Sequence, residues 1–449
     1  MRTGLFRPFP KLVTLMGHPR SQKAINLQFK SLLFASIVTF GCASILHLQS
    51  AKGQDWSSFL GPGGASVASD AVLPKTIDDS THVSWKTPLP GKGASSPIIV
   101  GNNVIVTCSS GMGEKQDEIM VVCVDKNTGK IKWEQEFWAT GRCLCHPLSA
   151  NAAPTPATDG ERIFAFYSSN DIACLDLEGN LLWFRGLAAD RPKAGNDVGM
   201  SSSPVVVDGV VICQVENAGD SFATGLDAET GETVWVQDRS RKAVWSSPIV
   251  IKTREGKNLV LIQSADKVDV VDPRTGAIKF QQEGRVSTIS TAAVVDDTVY
   301  VPMDGTSTFT VASDGKFEPK WSAGQIKAGS PSYQVNDKFI FTCNSRGILR
   351  IWDRETGEKK KEARVDGKYW ATPIIADGHM YCFGEDGVFR LVNLHLDDDT
   401  KPEVVQTFEF KAPAADGEEA KAEVFLGSPA VSANELYVRS DKFLWKFAE

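Results

Sequence analysis

The side chains best equipped for chemistry in this chain lie together at Cys143, Cys145 and His146. Two thiols and an imidazole form a soft donor set, which serves covalent haem attachment, a soft-metal centre or a thiol–disulfide couple. Haem attachment uses two residues between its cysteines, whereas here only Leu144 intervenes, so the spacing argues against haem. A closed metal site needs a fourth ligand that no nearby motif supplies. A redox-active or mixed disulfide stays open beside the plain reading of structural thiols in a loop. Arg142 and Asn151 share this stretch, 138–151, and a second polar stretch, 185–200, carries Asn196 and Asp197. A carboxylate and a guanidinium make Asp197 and Arg142 the candidates for catalytic roles, against a reading in which polar loop residues are merely solvated. His82, His379 and His395 are isolated and read as surface or satisfied core histidines. Nothing forms a Ser-His-Asp triad, a phosphate loop or a zinc-hydrolase helix.

Both stretches sit between copies of a repeat, and the repeat must position them. Cys123 to Trp133 reads Cys-Val-Asp-Lys-Asn-Thr-Gly-Lys-Ile-Lys-Trp, and variants run from Gly225 to Trp235 and from Val270 to Phe280. A fourth copy keeps Asp353 and Gly357 but has Lys361 at the aromatic position, and shortened copies run from Asp176 to Trp183 and from Asp314 to Trp321. Apolar residues before the Asp and after the Gly read as two short strands. Asp and Thr bond local amides while Gly takes the positive-φ position of the loop, so Asp125, Gly129, Asp227, Gly231, Asp272, Gly276, Asp353 and Gly357 read as turn residues. The aromatics Trp133, Trp183, Trp235, Phe280 and Trp321 land on the outgoing strand, where a flat side chain can dock against the next sheet.

A second signature, small residues then Pro then an apolar run, opens each unit. It recurs at Ser95-Ser96-Pro97, Pro154-Thr155-Pro156, Ser202-Ser203-Pro204, Ser246-Ser247-Pro248, Ser290-Thr291-Ala292, Gly329-Ser330-Pro331, Ala371-Thr372-Pro373 and Gly427-Ser428-Pro429. Starts at this spacing predict four-stranded propeller blades. The last unit runs out after its third strand, near Lys442 to Phe447, and an orphan strand around Trp85 has no local partners. The expected fold is therefore an all-β, eight-bladed β-propeller of four-stranded antiparallel blades. An N-terminal strand bearing Trp85 completes the C-terminal blade and closes the ring. The domain spans 54–449, with a charged, solvated insertion expected at about 396–423 in the seventh blade. In such a ring the blade-to-blade connections surround one mouth of the central channel, which places both polar stretches there.

The first 53 residues read as a signal peptide or an N-terminal membrane segment: Arg and Lys precede an apolar run from Leu32 to Leu48, and Ala51-Lys52-Gly53 offers a cleavage site. The formal net charge is −7 and no basic stripe stands out, so nucleic acid is not an expected partner. Cys108 and Cys343 occupy equivalent strand positions in different repeats, which reads as small buried hydrophobes rather than a disulfide.

The Asp-x-x-Thr-Gly-x-x-x-Trp signature with small-small-Pro strand starts resembles the pyrroloquinoline-quinone (PQQ)-type propeller repeat. That repeat is shared by quinoprotein alcohol dehydrogenases and by the propeller lipoprotein of the outer-membrane β-barrel assembly machinery. The resemblance implies an exported periplasmic or extracellular propeller and, as the leading expectation, a non-catalytic scaffold with no cofactor that binds envelope or secreted proteins at the channel mouth. Membrane contact would come only through an uncleaved N-terminal anchor. The alternative it implies is a PQQ- and calcium-dependent dehydrogenase of alcohols or sugars, with a calcium site, a general-base Asp and an Arg near the quinone. The adjacent cysteine pair of those enzymes is absent, since Leu144 separates Cys143 from Cys145. A polysaccharide-binding propeller is the third reading, from exposed tryptophans such as Trp138.

Overall fold

The computed structural model describes residues 55–111, 116–195, 198–312, 314–412 and 419–449. The N-terminal segment 1–53 and the candidates Asn196 and Asp197 lie outside the described residues. Eight four-stranded antiparallel sheets form the ring. Blade 1 holds Ile98–Val100, Asn103–Ser110, Glu118–Asp125 and Ile131–Trp138, in that order from the inside outward. Blades 2 to 7 follow within 157–186, 205–238, 249–283, 293–323, 334–364 and 374–409. Blade 8 takes Ala430–Ser432, Glu435–Arg439 and Phe443–Phe447 from the C-terminus, and Val83–Pro88 pairs antiparallel with the last of these as the outer strand. This is the closure read from the orphan strand, and it leaves the ring without a gap between first and last blades.

The hairpin before each outer strand is built as its residue types dictate. Asp125 Oδ1 accepts the Asn127 and Thr128 amides at 3.1 and 2.8 Å and the Thr128 hydroxyl at 2.9 Å, while Gly129 turns the chain at φ 70°. The Thr128 amide, foremost among these donors, holds the Asp125 carboxyl below the usual carboxylate range. Asp227 with Gly231 and Asp353 with Gly357 repeat the arrangement. Asp272 accepts the Arg274 amide, and Gly276 closes the same turn.

A register shift follows each turn, between Cys123 and Val124 in blade 1, and the next residue in register on the outer strand is Trp133. Its indole donates to the Leu177 carbonyl of blade 2 at 3.0 Å, and a Cβ on Gly179 would meet the ring at 2.5 Å. Trp85, Trp183, Trp235 and Trp321 likewise donate to the next blade, at Lys126, Ala228, Pro273 and Arg354. Phe280 has no donor and stacks on Phe317 of blade 5 at 5.0 Å. Lys361 stands in for the aromatic of blade 6, its ammonium donating to the carbonyls of His395, Asp398 and Thr400. In blade 7 the place falls to Gln406, whose amide pairs with both main-chain groups of Ile77.

The segment expected to be a charged insertion, 396–423, needs correction. Glu403–Glu409 is the outer strand of blade 7, and Phe410 beyond it is buried. Its charge reflects an outer strand with one face in water, a pattern that composition alone does not separate from a solvated loop.

At the axis the strand starts are joined by a closed belt of hydrogen bonds. The amides of Ser96, Thr155, Ser203, Ser247, Thr291, Ser332, Thr372 and Ser428 each donate to the hydroxyl of the next in the series, and Ser428 returns to Ser96. Every link measures 2.9 or 3.0 Å. In blade 6 the belt residue is Ser332, two positions beyond the Ser330 of the expected Gly329-Ser330-Pro331 start, with Tyr333 where blade 5 has Ala292 and the other six have proline.

Candidate functional site

On one face the channel is covered by the lead-in to blade 8. Trp56 pairs with Ile99 of blade 1, and the Ser57 carbonyl accepts from Thr158 of blade 2. The chain then crosses to Val335 of blade 6 and Ile375 of blade 7. Gly63 makes the crossing possible, because a Cβ there would sit 2.2 Å from the Val294 carbonyl oxygen. Trp56 is buried, but Phe59, which its type suggests should be buried as well, is half-exposed and projects into the channel, lining the cavities on both sides of the belt.

The other face is open, and the strands' own alternation builds it. The residue two positions before each belt hydroxyl points the same way as that hydroxyl. Those residues are Ala94, Ala153, Ser201, Trp245, Ile289, Ser330, Trp370 and Leu426, and all of them line one cavity of about 390 Å³. Its floor is Phe59 with Thr155, Ser203, Ser332, Thr372 and Ser428 of the belt. Where blades 1 to 3 supply only small residues, the two long connections fill in with His146, Leu148, Val198 and Met200. Leu148, Val198, Ile289 and Trp370 are 46, 45, 37 and 49% exposed, an apolar collar open to solvent. Trp245 is half-buried, fixed by its indole donating to the Gly199 carbonyl at 2.9 Å. Among the described residues of the lining none is Asp, Glu, Lys, Arg, Asn or Gln.

Cys143, Cys145, His146 and Arg142 lie in the connection from blade 1 to blade 2. The Cys143 thiol donates to the Gly141 carbonyl at 3.5 Å, and burial, followed by Asp117 and Asp171, pushes it up to about 11. Cys145 lies against Gly199, and burial raises its thiol too. Both are free, as are the buried Cys108 and Cys343. His146 accepts the Leu148 amide on Nδ1 at 3.2 Å, so its ring turns back on its own loop at the mouth's edge. Arg142 packs beside Gly195, away from the cavity lining. Among the described residues no three His, Cys, Asp or Glu side chains converge to hold a metal ion. Trp138, the exposed aromatic considered for glycans, also lies outside the lining.

Pyrroloquinoline quinone is a polycarboxylate, and binding it with calcium needs cationic and oxygen-ligating side chains. The described residues of the mouth offer no Lys or Arg and no carboxylate or amide oxygen, only hydroxyls, so they do not fit that group. What sequence reasoning missed is the collar itself. Its signal was present, as the residue immediately before each small pair, but it emerges only when the blades are superposed on one register.

Comparison with known families gives matches to the family described as outer membrane protein assembly factor BamB over residues 76–219 and 193–362. A curated relative, the outer membrane protein assembly factor BamB of Alkalilimnicola ehrlichii, is 27% identical over 199 residues. That alignment covers 41% of this chain and 42% of the relative, so the chain spans about two fifths of the relative's length. Among solved structures, BamB from Moraxella catarrhalis superposes with a TM-score of 0.53 at 18% identity, over 84% of this chain and 98% of that one. A europium-containing methanol dehydrogenase superposes with a TM-score of 0.60 at 10% identity, over 88% of this chain and 98% of that one. At such identities the superpositions establish the propeller fold alone.

Proposed function

We propose that this chain, which belongs to the outer membrane protein assembly factor BamB family, works as a non-catalytic protein-binding scaffold of the cell envelope and docks its partner at the open channel mouth. The observation that carries the reading is the collar. Four large apolar residues stand between a third and a half exposed around a pocket closed below by Phe59, a cost in apolar hydration that a monomer with no partner has no reason to keep. The ring behind it is rigid, held by the belt and by a joint on each outer strand, so little ordering is needed on binding. Half-buried thiols with raised pKa and a histidine bonded to its own loop supply no activated nucleophile. A sugar site would use carboxylate, amide or guanidinium side chains beside its aromatics, and the described lining has none of these, which weighs against the polysaccharide reading. The name shared by the relatives points to partners engaged in outer-membrane protein assembly and to a place in the envelope.

The test is a double substitution, Trp370→Ser with Ile289→Ser, in the full chain in its native cells. Both residues project from the ring, so melting should stay within a few degrees of the parent while partners recovered by crosslinking are lost. Undiminished recovery would show that the mouth is not the docking face.

A further inference from the structure

The belt hydroxyls are used only as acceptors. Each takes one amide proton from the preceding blade, and among the described residues none of the eight donates its own. All are almost fully buried, and five of them form the floor of the mouth. The mouth therefore presents a circle of buried O–H donors beneath an apolar collar.

We infer that the mouth selects an uncharged, extended stretch of a partner polypeptide. An aliphatic or aromatic side chain enters between Trp245, Ile289, Trp370 and Leu426, and a main-chain carbonyl turns to the hydroxyls below. This rests on the scaffold reading and names the chemistry of its client.

Three features carry the inference. Unused donors on the floor of the mouth call for an acceptor once a partner covers them, because a buried donor left without one costs about 1–3 kcal/mol. The acceptor must be neutral: among the described lining residues no Lys or Arg stands ready to pair with a carboxylate or phosphate, and no Asp or Glu to receive a Lys or Arg. A charge entering would lose its hydration with nothing in return. Lastly, the collar continues outward into half-exposed Leu148 and Val198, so the apolar surface extends past the cavity and suits a chain running across it. Peptide carbonyls in an extended segment supply neutral acceptors at regular spacing, alternating with side chains.

The experiment replaces Trp370 with the photo-crosslinker p-benzoylphenylalanine in the full chain, and a parallel sample carries it at exposed Val405 on the outer edge of blade 7. Crosslinked segments are sequenced from native cells. Each segment recovered at position 370 is then synthesised with its central apolar residue intact or changed to Lys or Asp, and titrated against the unmodified protein. Expected are segments with no ionisable residue for several positions around the crosslink, and at least tenfold weaker binding of both charged peptides. Segments centred on charged residues, or equal affinity of the intact and charged peptides, would overturn the inference while leaving the scaffold standing. Partners crosslinked only at position 405 would overturn the mouth as a docking face, and with it this selectivity. No crosslinked partner at either position would remove the scaffold reading itself.

Discussion

Asp441 gives the sharpest electrostatic prediction. It lies in the loop between Glu435–Arg439 and Phe443–Phe447 of the closing blade, with its amide on the Val424 carbonyl at 3.1 Å. Its Oδ1 is buried without a hydrogen-bond partner, and the nearest cation, Lys92, stands 3.9 Å away. Burial raises its carboxyl from 3.8 to about 6; Glu423 adds to the rise, while Lys92, Arg439 and Lys442 oppose it. Between these two values the unfolded chain has released the proton and the folded chain still holds it, so stability falls as pH rises through the window. A displacement of this size is worth about 3 kcal/mol in all, and about 2 kcal/mol of it falls between pH 4.5 and 7.5. Asp441→Asn keeps the shape and cannot ionise. Denaturant unfolding of both proteins at pH 4.5, 6 and 7.5 should show the variant gaining on the parent by about 2 kcal/mol from the lowest to the highest pH. Parallel profiles, with the same difference at every pH, would refute the account of a carboxyl desolvated in the folded state.

Other parts of the ring are open to equally direct tests. Trp133→Ala empties the joint over Gly179 and strands the Leu177 carbonyl, and should cost about 3–5 kcal/mol in denaturant unfolding. Removing residues 55–90 takes away both the lead-in across the channel and the outer strand of blade 8; a truncated protein that still melted cooperatively at the parental temperature would contradict closure through Trp85. Arg239→Met leaves Glu216, 3.0 Å from the guanidinium, buried without a cation and Asp269 with Lys267 alone at 3.3 Å, and should destabilise the junction of blades 3 and 4 by about 3–5 kcal/mol. Hydrogen exchange would localise that loss to 205–283, and uniform loosening of the ring would count against it.

Much of the architecture was legible because the repeat writes the same physics several times. An Asp that caps its own turn, a Gly at positive φ and an aromatic after a bulge form one device, and five intact or shortened copies fix its meaning in advance of any coordinates. Its degenerate forms were less legible. Lys361 and Gln406 fill the aromatic's place with polar groups that bond main chain in the neighbouring segment, so the joint persists while its sequence signature disappears. The outer strand at Glu403–Glu409 was hidden for a related reason, since an edge that packs on one side only is free to be charged.

The channel mouth was hard to read from the sequence for a different reason. Cys143, Cys145 and His146 drew attention because soft donors are rare and chemically versatile, yet in the fold they line a connection and its rim. The collar drew none, because Trp245, Ile289, Trp370 and Leu426 lie far apart in sequence and each is an ordinary hydrophobe. Only rotation about the channel axis makes neighbours of them, and only the strand's period of two puts them above the belt hydroxyls. The docking face proposed for this ring is an eightfold arrangement of unreactive side chains, and such an arrangement leaves no local motif. The better guide is a position that stays uncharged in every blade while the outer strands around it carry charge.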